Sequence, residues 1–123
     1  MIAGIGTDIV EISRIRQSCE AYGDRFIHRV FTPGEITYAY SKKDPYPSLA
    51  VRFAVKEALI KAARVGKFHP HGWLDAEVIT DARGVPSIEL YGELKKELAG
   101  QQIHITVSHA DHYATATVII EKK

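Results

Sequence analysis

The segment from Ser48 to Ala63 sets the strongest limit on how this 123-residue chain can fold. It contains five alanines and no internal glycine or proline, a composition that strongly favours an α-helix. Leu49, Phe53 and Ile60 recur on one side at helical spacing. Most of the other faces of this predicted helix are apolar as well, so any charged side chain on it borders buried surface.

The chain before this helix reads as one strand followed by helices. The predicted elements are a strand over residues 2–10, a helix from Glu11 that ends at Gly23, a helix that begins at the capping box Thr32-Pro33-Gly34-Glu35 and fades near Tyr40, and a rigid proline-containing connector over residues 44–48. The glycines within the first strand indicate that its backbone passes close to another element.

The chain after this helix changes to the period of strands. The predicted elements are a hairpin of residues 77–80 and 85–91 joined at Asp81-Ala82-Arg83-Gly84, a short helix over 93–99, and two strands over 102–108 and 113–120. Helices early and strands late predict an α+β fold with a largely antiparallel sheet. With no linker, repeat or low-complexity stretch, we expect residues 1–123 to form a single domain.

Charge and cysteine content narrow the possible environments. Sixteen Lys and Arg residues against 15 Asp and Glu residues give a net charge of +1, so the chain carries no overall field for nucleic acid or an anionic membrane. It shows no basic leader and no run of roughly 18 apolar residues. The single cysteine, Cys19, cannot close an intrachain disulfide. We therefore expect a cytoplasmic protein that binds neither nucleic acid nor membrane.

Two carboxylates are candidates for a metal site. Glu57 and Lys61 lie one turn apart on one face of the long helix, which is the spacing of an ordinary solvated ion pair but here borders apolar surface. A second carboxylate, Asp8, lies near the end of the first predicted strand and could complete the protein's share of a Mg²⁺ site, with Lys61 contacting phosphate. Alternatively, Asp8 caps the helix that begins near Glu11, and from local sequence that is the favoured interpretation.

The histidines suggest phosphate contact more than zinc binding. His69-Pro70-His71 and His109-x-x-His112 have no cysteine pair beside them, and neither spacing fits a helix convincingly. His109, next to Ser108 at a strand end, is a candidate phosphate donor, although a turn histidine with a satisfied hydrogen bond is equally compatible with the sequence.

Arginines concentrate in the N-terminal third of the chain, at positions Arg14, Arg16, Arg25 and Arg29. Arg25 and Arg29 are four residues apart and could share a face with an exposed Phe26 or Ile27, which would suit an acidic helix of a partner. An ordinary solvated helix face is the alternative.

Three motifs together resemble those of the holo-acyl-carrier-protein synthases, the small 4′-phosphopantetheinyl transferase family. They are Gly4-Ile5-Gly6-Thr7-Asp8-Ile9-Val10-Glu11-Ile12 with Arg14 and Ile15, then Arg52-Phe53-Ala54-Val55-Lys56-Glu57-Ala58-Leu59-Ile60-Lys61-Ala62, and finally Ser108-His109-Ala110-Asp111 with Tyr113 and Ala114. The resemblance covers essentially the whole chain, and the first two motifs in this order are highly specific.

The resemblance implies a function for most of the candidate residues. In that family the 4′-phosphopantetheine of coenzyme A is transferred to a serine of apo acyl carrier protein, with adenosine 3′,5′-bisphosphate released, in the service of fatty acid biosynthesis. It implies Mg²⁺ held by Asp8 and Glu57, catalysis by Glu57 and Lys61, coenzyme A contacts from Arg52, Lys61, Gly66, Ser108 and His109, and a carrier-protein surface at Arg14, Arg25 and Arg29. It also implies a homotrimer with active sites between subunits.

Two points stay open at the level of the sequence. The serine proton could pass to Glu57 or to a water on the metal. A non-catalytic module that binds a phosphate ligand through Asp8, Glu57 and Lys61 is an alternative to the enzyme, and a nucleic-acid-binding α+β domain is a weaker one.

Overall fold

The computed structural model describes residues 1–63 and 72–123, and their elements follow the predicted order with two additions, a helix over residues 24–30 and a 3-10 turn over 72–75. The helices and strands are β1 (Ile2–Glu11), α1 (Ile12–Tyr22), α2 (Asp24–Val30), α3 (Pro33–Tyr40), α4 (Tyr46–Ala63), a 3-10 turn (Gly72–Asp75), β2 (Ala76–Thr80), β3 (Pro86–Leu90), α5 (Gly92–Glu97), β4 (Gln101–His109) and β5 (Tyr113–Lys122). The predicted α+β class is confirmed, because helices dominate the first half and antiparallel strands the second.

The strands form two antiparallel sheets. In the larger sheet β5 lies between β1 and β4, and β2 pairs with β3 as the predicted hairpin. Gly84 closes the hairpin turn with φ of 83°, a conformation that glycine adopts without strain. Helix α4 packs on β1 and β5 and buries one face of the larger sheet. On the other face, Ile5 and Ile9 of β1 are exposed within the described chain.

Helix α4 begins earlier than the sequence suggested. The connector predicted over residues 44–48 ends at Tyr46, where the helix starts. The backbone N–H of Tyr46 donates to Asp44 Oδ1 (3.1 Å), and that of Leu49 donates to the Pro45 carbonyl (3.0 Å). Prolines are tolerated in this first turn because its N–H groups lack intrahelical partners. Although α4 has 18 residues, no helix among the described residues is long and apolar enough to cross a membrane.

Helix α4 and strand β1 meet through their backbones. A β-carbon built on Gly6 would lie 2.1 Å from the Ala58 carbonyl oxygen, and one on Gly4 would lie 1.8 Å from that of Ala62. Only glycine fits at such an approach. Ala58 and Ala62 are themselves buried on this side of α4. The glycines predicted to bring the first strand close to another element therefore bring it against the long helix.

A buried ion pair joins α4 to α3 and β2. The predicted capping box forms, since the Thr32 N–H donates to Glu35 Oε1 (2.9 Å) and the Glu35 N–H to Thr32 Oγ1 (3.2 Å). Lys56 Nζ donates to the same Glu35 oxygen at 2.7 Å, and to the carbonyls of Val30 and Trp73 at 2.7 Å each. Burial lowers the pKa of Lys56, while Glu35 opposes that shift. Lys56 thus ties three elements together in the interior.

Replacing Lys56 with methionine should strongly destabilise the fold, because it leaves the Glu35 carboxylate buried without its cation. We expect the free energy of unfolding to fall by about 3 to 5 kcal/mol, measured by urea denaturation. The matched control is Lys61→Met, a mostly exposed lysine on the same helix, which should cost less than about 1 kcal/mol. Adding Glu35→Gln to Lys56→Met should recover part of the loss, since it removes the orphaned charge. Equal urea midpoints for the two single variants would contradict this role.

Candidate active site

Asp8 reaches the site because of the alternation along β1. Gly4, Gly6 and Asp8 lie two residues apart and so share one face of the strand. The glycines press that face against α4, which points the aspartate at the same helix. The Asp8 side chain is only 17% exposed, and its carboxylate Oδ1 lies 3.1 Å from Lys61 Nζ. The favoured local interpretation of Asp8 as a helix cap is therefore wrong: Glu11 is the N-cap residue of α1, and among the described residues its side chain makes no cap hydrogen bond.

Glu57 and Lys61 face β1 from successive turns of α4. Lys61 Nζ donates to the Thr7 carbonyl (3.0 Å) and to Asp8 Oδ1 (3.1 Å). The lysine therefore pairs with a residue of the neighbouring strand, and the simple solvated pair of Glu57 with Lys61 is not the correct interpretation. Glu57 is half-buried beside them and lines the same cavity as Asp8.

The electrostatics of this group favour a cation. Burial raises the pKa of Glu57, the nearby Asp8 carboxylate raises it further, and Lys61 opposes both effects. Among the described residues, Lys61 is the cation whose charge opposes that of the two carboxylates at Glu57. Such a site is stabilised by added positive charge.

The donor set fits a hard divalent ion such as Mg²⁺. Carboxylate oxygens are its preferred protein ligands, and Mg²⁺ usually takes one or two of them and completes its shell with water and phosphate oxygens. Asp8 and Glu57 supply that number. Within residues 1–63 and 72–123, no cluster of three or more His, Cys, Asp or Glu side chains is arranged to hold a metal. Water and a bound phosphate can supply the remaining ligands.

The cavity that contains Asp8 and Glu57, here called the carboxylate cavity, has a volume of about 490 Å³. Arg14 of α1 lies on its wall, and Phe26 and Phe53 supply apolar surface. One end of the cavity is therefore acidic, while the wall formed by α1 and α2 is basic and apolar. This arrangement can hold a polar phosphate group next to a surface for a protein partner.

Arg52 lies in a different place. It is five residues before Glu57, which turns it about 140° around the helix. It lines a second cavity of about 440 Å³, here called the Arg52 cavity, together with His109, Lys42 and Tyr38. The lining thus holds three basic side chains against one carboxylate, that of Asp44, an excess that suits an anion. Within one chain, Arg52 and His109, both expected to bind coenzyme A, thus line a cavity different from the one that contains Asp8 and Glu57.

The Arg52 guanidinium is buried and its charge is not neutralised by its contacts. It is 3% exposed, donates to Ser48 Oγ and Thr80 Oγ1 at 2.9 Å each, and lies 4.3 Å from the centre of the Tyr38 ring. Its Nε is buried with no hydrogen-bond partner among the described residues. Burial lowers its pKa, and the strongest opposing influence is Glu35. An anion in the cavity would supply the missing counter-charge.

The other predicted site residues occupy separate positions. Ser108 is exposed, and strand alternation puts its side chain on the face of β4 opposite to that of His109. His109 and His112 line different cavities. The described residues do not include Gly66, nor His69 and His71.

The arginine surface is partly as predicted. Arg14, Arg25 and Arg29 are exposed. Ile27 is buried in the core, so the expectation that it could be an exposed apolar neighbour is wrong, and the half-buried Phe26 takes that place. Arg16 is tied to α4, since Nη2 lies 3.5 Å from Asp44 Oδ2 and the guanidinium lies 5.0 Å from the Tyr46 ring centre.

Sequence reasoning gave no role to Lys42 or Tyr38, which line the Arg52 cavity. Their four-residue spacing was the available signal, because it places a lysine beside an aromatic ring at a helix end. The structure puts Lys42 Nζ 4.9 Å from the centre of the Tyr38 ring. Phe53, which the sequence placed on one side of the predicted helix, packs partly buried against the core and also lines the carboxylate cavity.

Comparison with known proteins identifies the class to which this fold and site belong. The model of the 4′-phosphopantetheinyl transferase superfamily matches residues 4–118. A holo-[acyl-carrier-protein] synthase of Protochlamydia amoebophila is 43% identical over 119 residues, which is 97% of this chain and 98% of the relative. The crystal structure of the Neisseria meningitidis synthase has a TM-score of 0.88 and 31% identity, and the match covers 99% of this chain and 100% of that one.

The synthase of Helicobacter pylori, solved in complex with coenzyme A, has a TM-score of 0.83 and 32% identity, with 95% of this chain and 99% of that chain covered. The chain belongs to the 4′-phosphopantetheinyl transferase superfamily and, within it, to the holo-[acyl-carrier-protein] synthases. It is therefore an enzyme, and the alternatives of a non-catalytic phosphate-binding module and of a nucleic-acid-binding domain give way to a transferase.

Proposed function

We propose that this chain transfers the 4′-phosphopantetheine group of coenzyme A to a serine of apo acyl carrier protein and releases adenosine 3′,5′-bisphosphate, in the service of fatty acid biosynthesis. The observation that carries the proposal is that Asp8 and Glu57 line one cavity, and that Lys61 of α4 contacts Asp8 of β1. Such a group suits a doubly charged pyrophosphate accompanied by a divalent cation.

In this proposal Asp8 and Glu57 hold Mg²⁺. When bound, the ion would neutralise charge on the pyrophosphate and orient the phosphorus for displacement. The support is the donor set and the unbalanced negative charge beside Glu57, whose pKa is raised by burial and by Asp8. The close contact of β1 with α4 sets the positions of both carboxylates at the cavity.

The protein groups share the remaining work. Lys61, half-exposed beside Asp8, would contact a phosphate oxygen and stabilise charge that develops there. Glu57, which lines the same cavity as Asp8, is the protein group proposed to accept the proton of the serine hydroxyl as its oxygen attacks the β-phosphorus. The bond from that phosphorus to the adenosine bisphosphate breaks as the serine bond forms.

The carrier protein would dock on α1 and α2. Arg14 lies on the wall of the carboxylate cavity, and Arg25 and Arg29 are exposed on α2. Phe26 adds apolar surface between them. Positive charge around an apolar contact suits an acidic amphipathic helix and mainly increases the rate of association.

We also propose that the enzyme is a homotrimer of single-domain subunits, residues 1–123, with active sites between subunits. The support is that Arg52 and His109 line a cavity different from that of Asp8 and Glu57, so a neighbouring subunit could bring the two sets together. The exposed Ile5 and Ile9 offer apolar surface for such contact. A cytoplasmic location is proposed on the basis of the substrates and the unpaired cysteine.

Removing either carboxylate should abolish transfer while leaving the fold intact. We expect Asp8→Asn and Glu57→Gln to lower the rate by at least about a hundredfold, because each loses a preorganised charge at the reacting phosphate. The measurement is the mass of apo carrier protein after incubation with coenzyme A and Mg²⁺, with and without chelator. Glu20→Gln, an exposed carboxylate on α1, is the control and should behave as the wild type. Full activity in either site variant would refute the metal assignment.

Charge reversal at Arg14 should weaken carrier-protein binding without affecting coenzyme A. For Arg14→Glu we expect the KM for the carrier protein to rise about tenfold or more at low salt and to approach the wild-type value at high salt, since rim charges act through screened attraction. Steady-state kinetics at two ionic strengths measure this. An unchanged carrier-protein KM at low salt would remove the docking surface from this wall.

Subunits with different lesions should restore one another if sites lie between subunits. Glu57→Gln and His109→Ala chains, each inactive alone, are co-expressed with different tags and the mixed oligomer is isolated. About one in three interfaces of each mixed trimer then combines an intact Glu57 with an intact His109 from the neighbour. Activity should return to a similar fraction of the wild-type value. Mixed oligomers as inactive as the separate variants would place the complete site within one chain.

A further inference from the structure

Lys61 already occupies the position of a cation at the proposed metal site. Its ammonium donates to Asp8 Oδ1 at 3.1 Å and to the carbonyl of Thr7 at 3.0 Å. The carboxylate that would bind a metal is thus engaged by a side chain from α4. A cation that takes the same oxygen has to compete with this contact.

The lysine also limits the repulsion between the two carboxylates. Burial raises the pKa of Glu57 most, the Asp8 carboxylate raises it further, and Lys61 acts in the opposite direction. Removal of the ammonium from this position would leave two negative groups facing one cavity. A positive charge beside the two carboxylates, from the lysine or from a bound ion, therefore stabilises their ionised forms.

The two partners differ in their freedom to move. The Asp8 side chain is 17% exposed and held by β1, whereas the Lys61 side chain is 55% exposed on the last turns of α4. A lysine has a long, flexible side chain, and a half-exposed ion pair is weak. Lys61 can therefore leave Asp8 while the carboxylate stays in place.

We propose that Lys61 is an exchangeable counterion of the Asp8–Glu57 pair. The lysine leaves Asp8 when a divalent cation binds, and its departure is favoured when its ammonium group binds a phosphate group. This inference rests on the proposed metal assignment and adds to it the exchange of Lys61 for the ion at Asp8. The cation and the phosphate-bearing substrate then bind with positive coupling, because each removes an obstacle to the other.

The test measures the affinity of the full-length chain for Mn²⁺, a paramagnetic substitute for Mg²⁺, in the absence of coenzyme A. Electron paramagnetic resonance reports the binding. Lys61→Met should bind Mn²⁺ about three- to tenfold more tightly than the wild type, because the competing ammonium is gone. Lys61→Arg keeps the charge and should stay within about twofold of the wild type. Arg14→Met removes a positive charge from the wall of the same cavity and should tighten binding by less than about twofold.

Coenzyme A provides the second arm of the experiment. It should increase the Mn²⁺ affinity of the wild type by a larger factor than that of Lys61→Met, because in the variant no lysine has to be drawn away. The inference is overturned if Lys61→Met binds Mn²⁺ no more tightly than the wild type, or if Arg14→Met tightens binding equally, which would indicate only a general effect of charge.

Failure of the underlying metal assignment gives a different result. Asp8→Asn and Glu57→Gln would then bind Mn²⁺ in the presence of coenzyme A as tightly as the wild type. If both carboxylate variants lose the ion while Lys61→Met gains no affinity, the metal site stands and only the exchange is refuted.

Discussion

The candidate site depends on the direct contact between the backbones of β1 and α4. At Gly4 and Gly6 the strand approaches the carbonyl oxygens of Ala62 and Ala58 so closely that no β-carbon fits between them. Protein interiors are close-packed, so a larger residue at either glycine would push the two elements apart. Because Asp8 follows on the same face of β1, this contact sets how far its carboxylate lies from the side chains of α4.

The central helix then separates several charged groups by direction. Glu57 and Lys61 face β1, Arg52 lies about 140° around the helix from Glu57, and Lys56 points into the interior, where it pairs with Glu35. Neighbouring charges on one helix therefore have different surroundings and different consequences. Lys56 holds the fold together, whereas Lys61 is exposed and able to exchange partners. The division between the carboxylate cavity and the Arg52 cavity follows from the same geometry and is the physical basis for proposing a site completed by a second subunit.

Much of the fold was predictable because its signals are local. The capping box at Thr32, the hairpin turn at Gly84 and the apolar period of α4 each depend on residues close in sequence. The interpretations that failed were also local ones. Asp8 was interpreted as a helix cap, and Glu57 with Lys61 as a solvated ion pair. Each pattern usually indicates such a structure when no other element packs beside it. Ile27 was one of two candidates for an exposed neighbour of Arg25 and Arg29, and it is buried. The role of Lys56 was not predictable from local sequence, because its partner Glu35 is 21 residues away.

The sequence by itself determined the α+β class, most of the element boundaries and, through its resemblance to a known family, the pairing of Asp8 with Glu57. These follow from backbone preferences and from motifs that can be read along the chain. Only the tertiary structure decided which lysine is buried, which carboxylate Lys61 contacts and which cavity receives Arg52. Those outcomes depend on how β1, α3 and β2 pack around α4, and the charge on a side chain acquires its role from the elements that surround it.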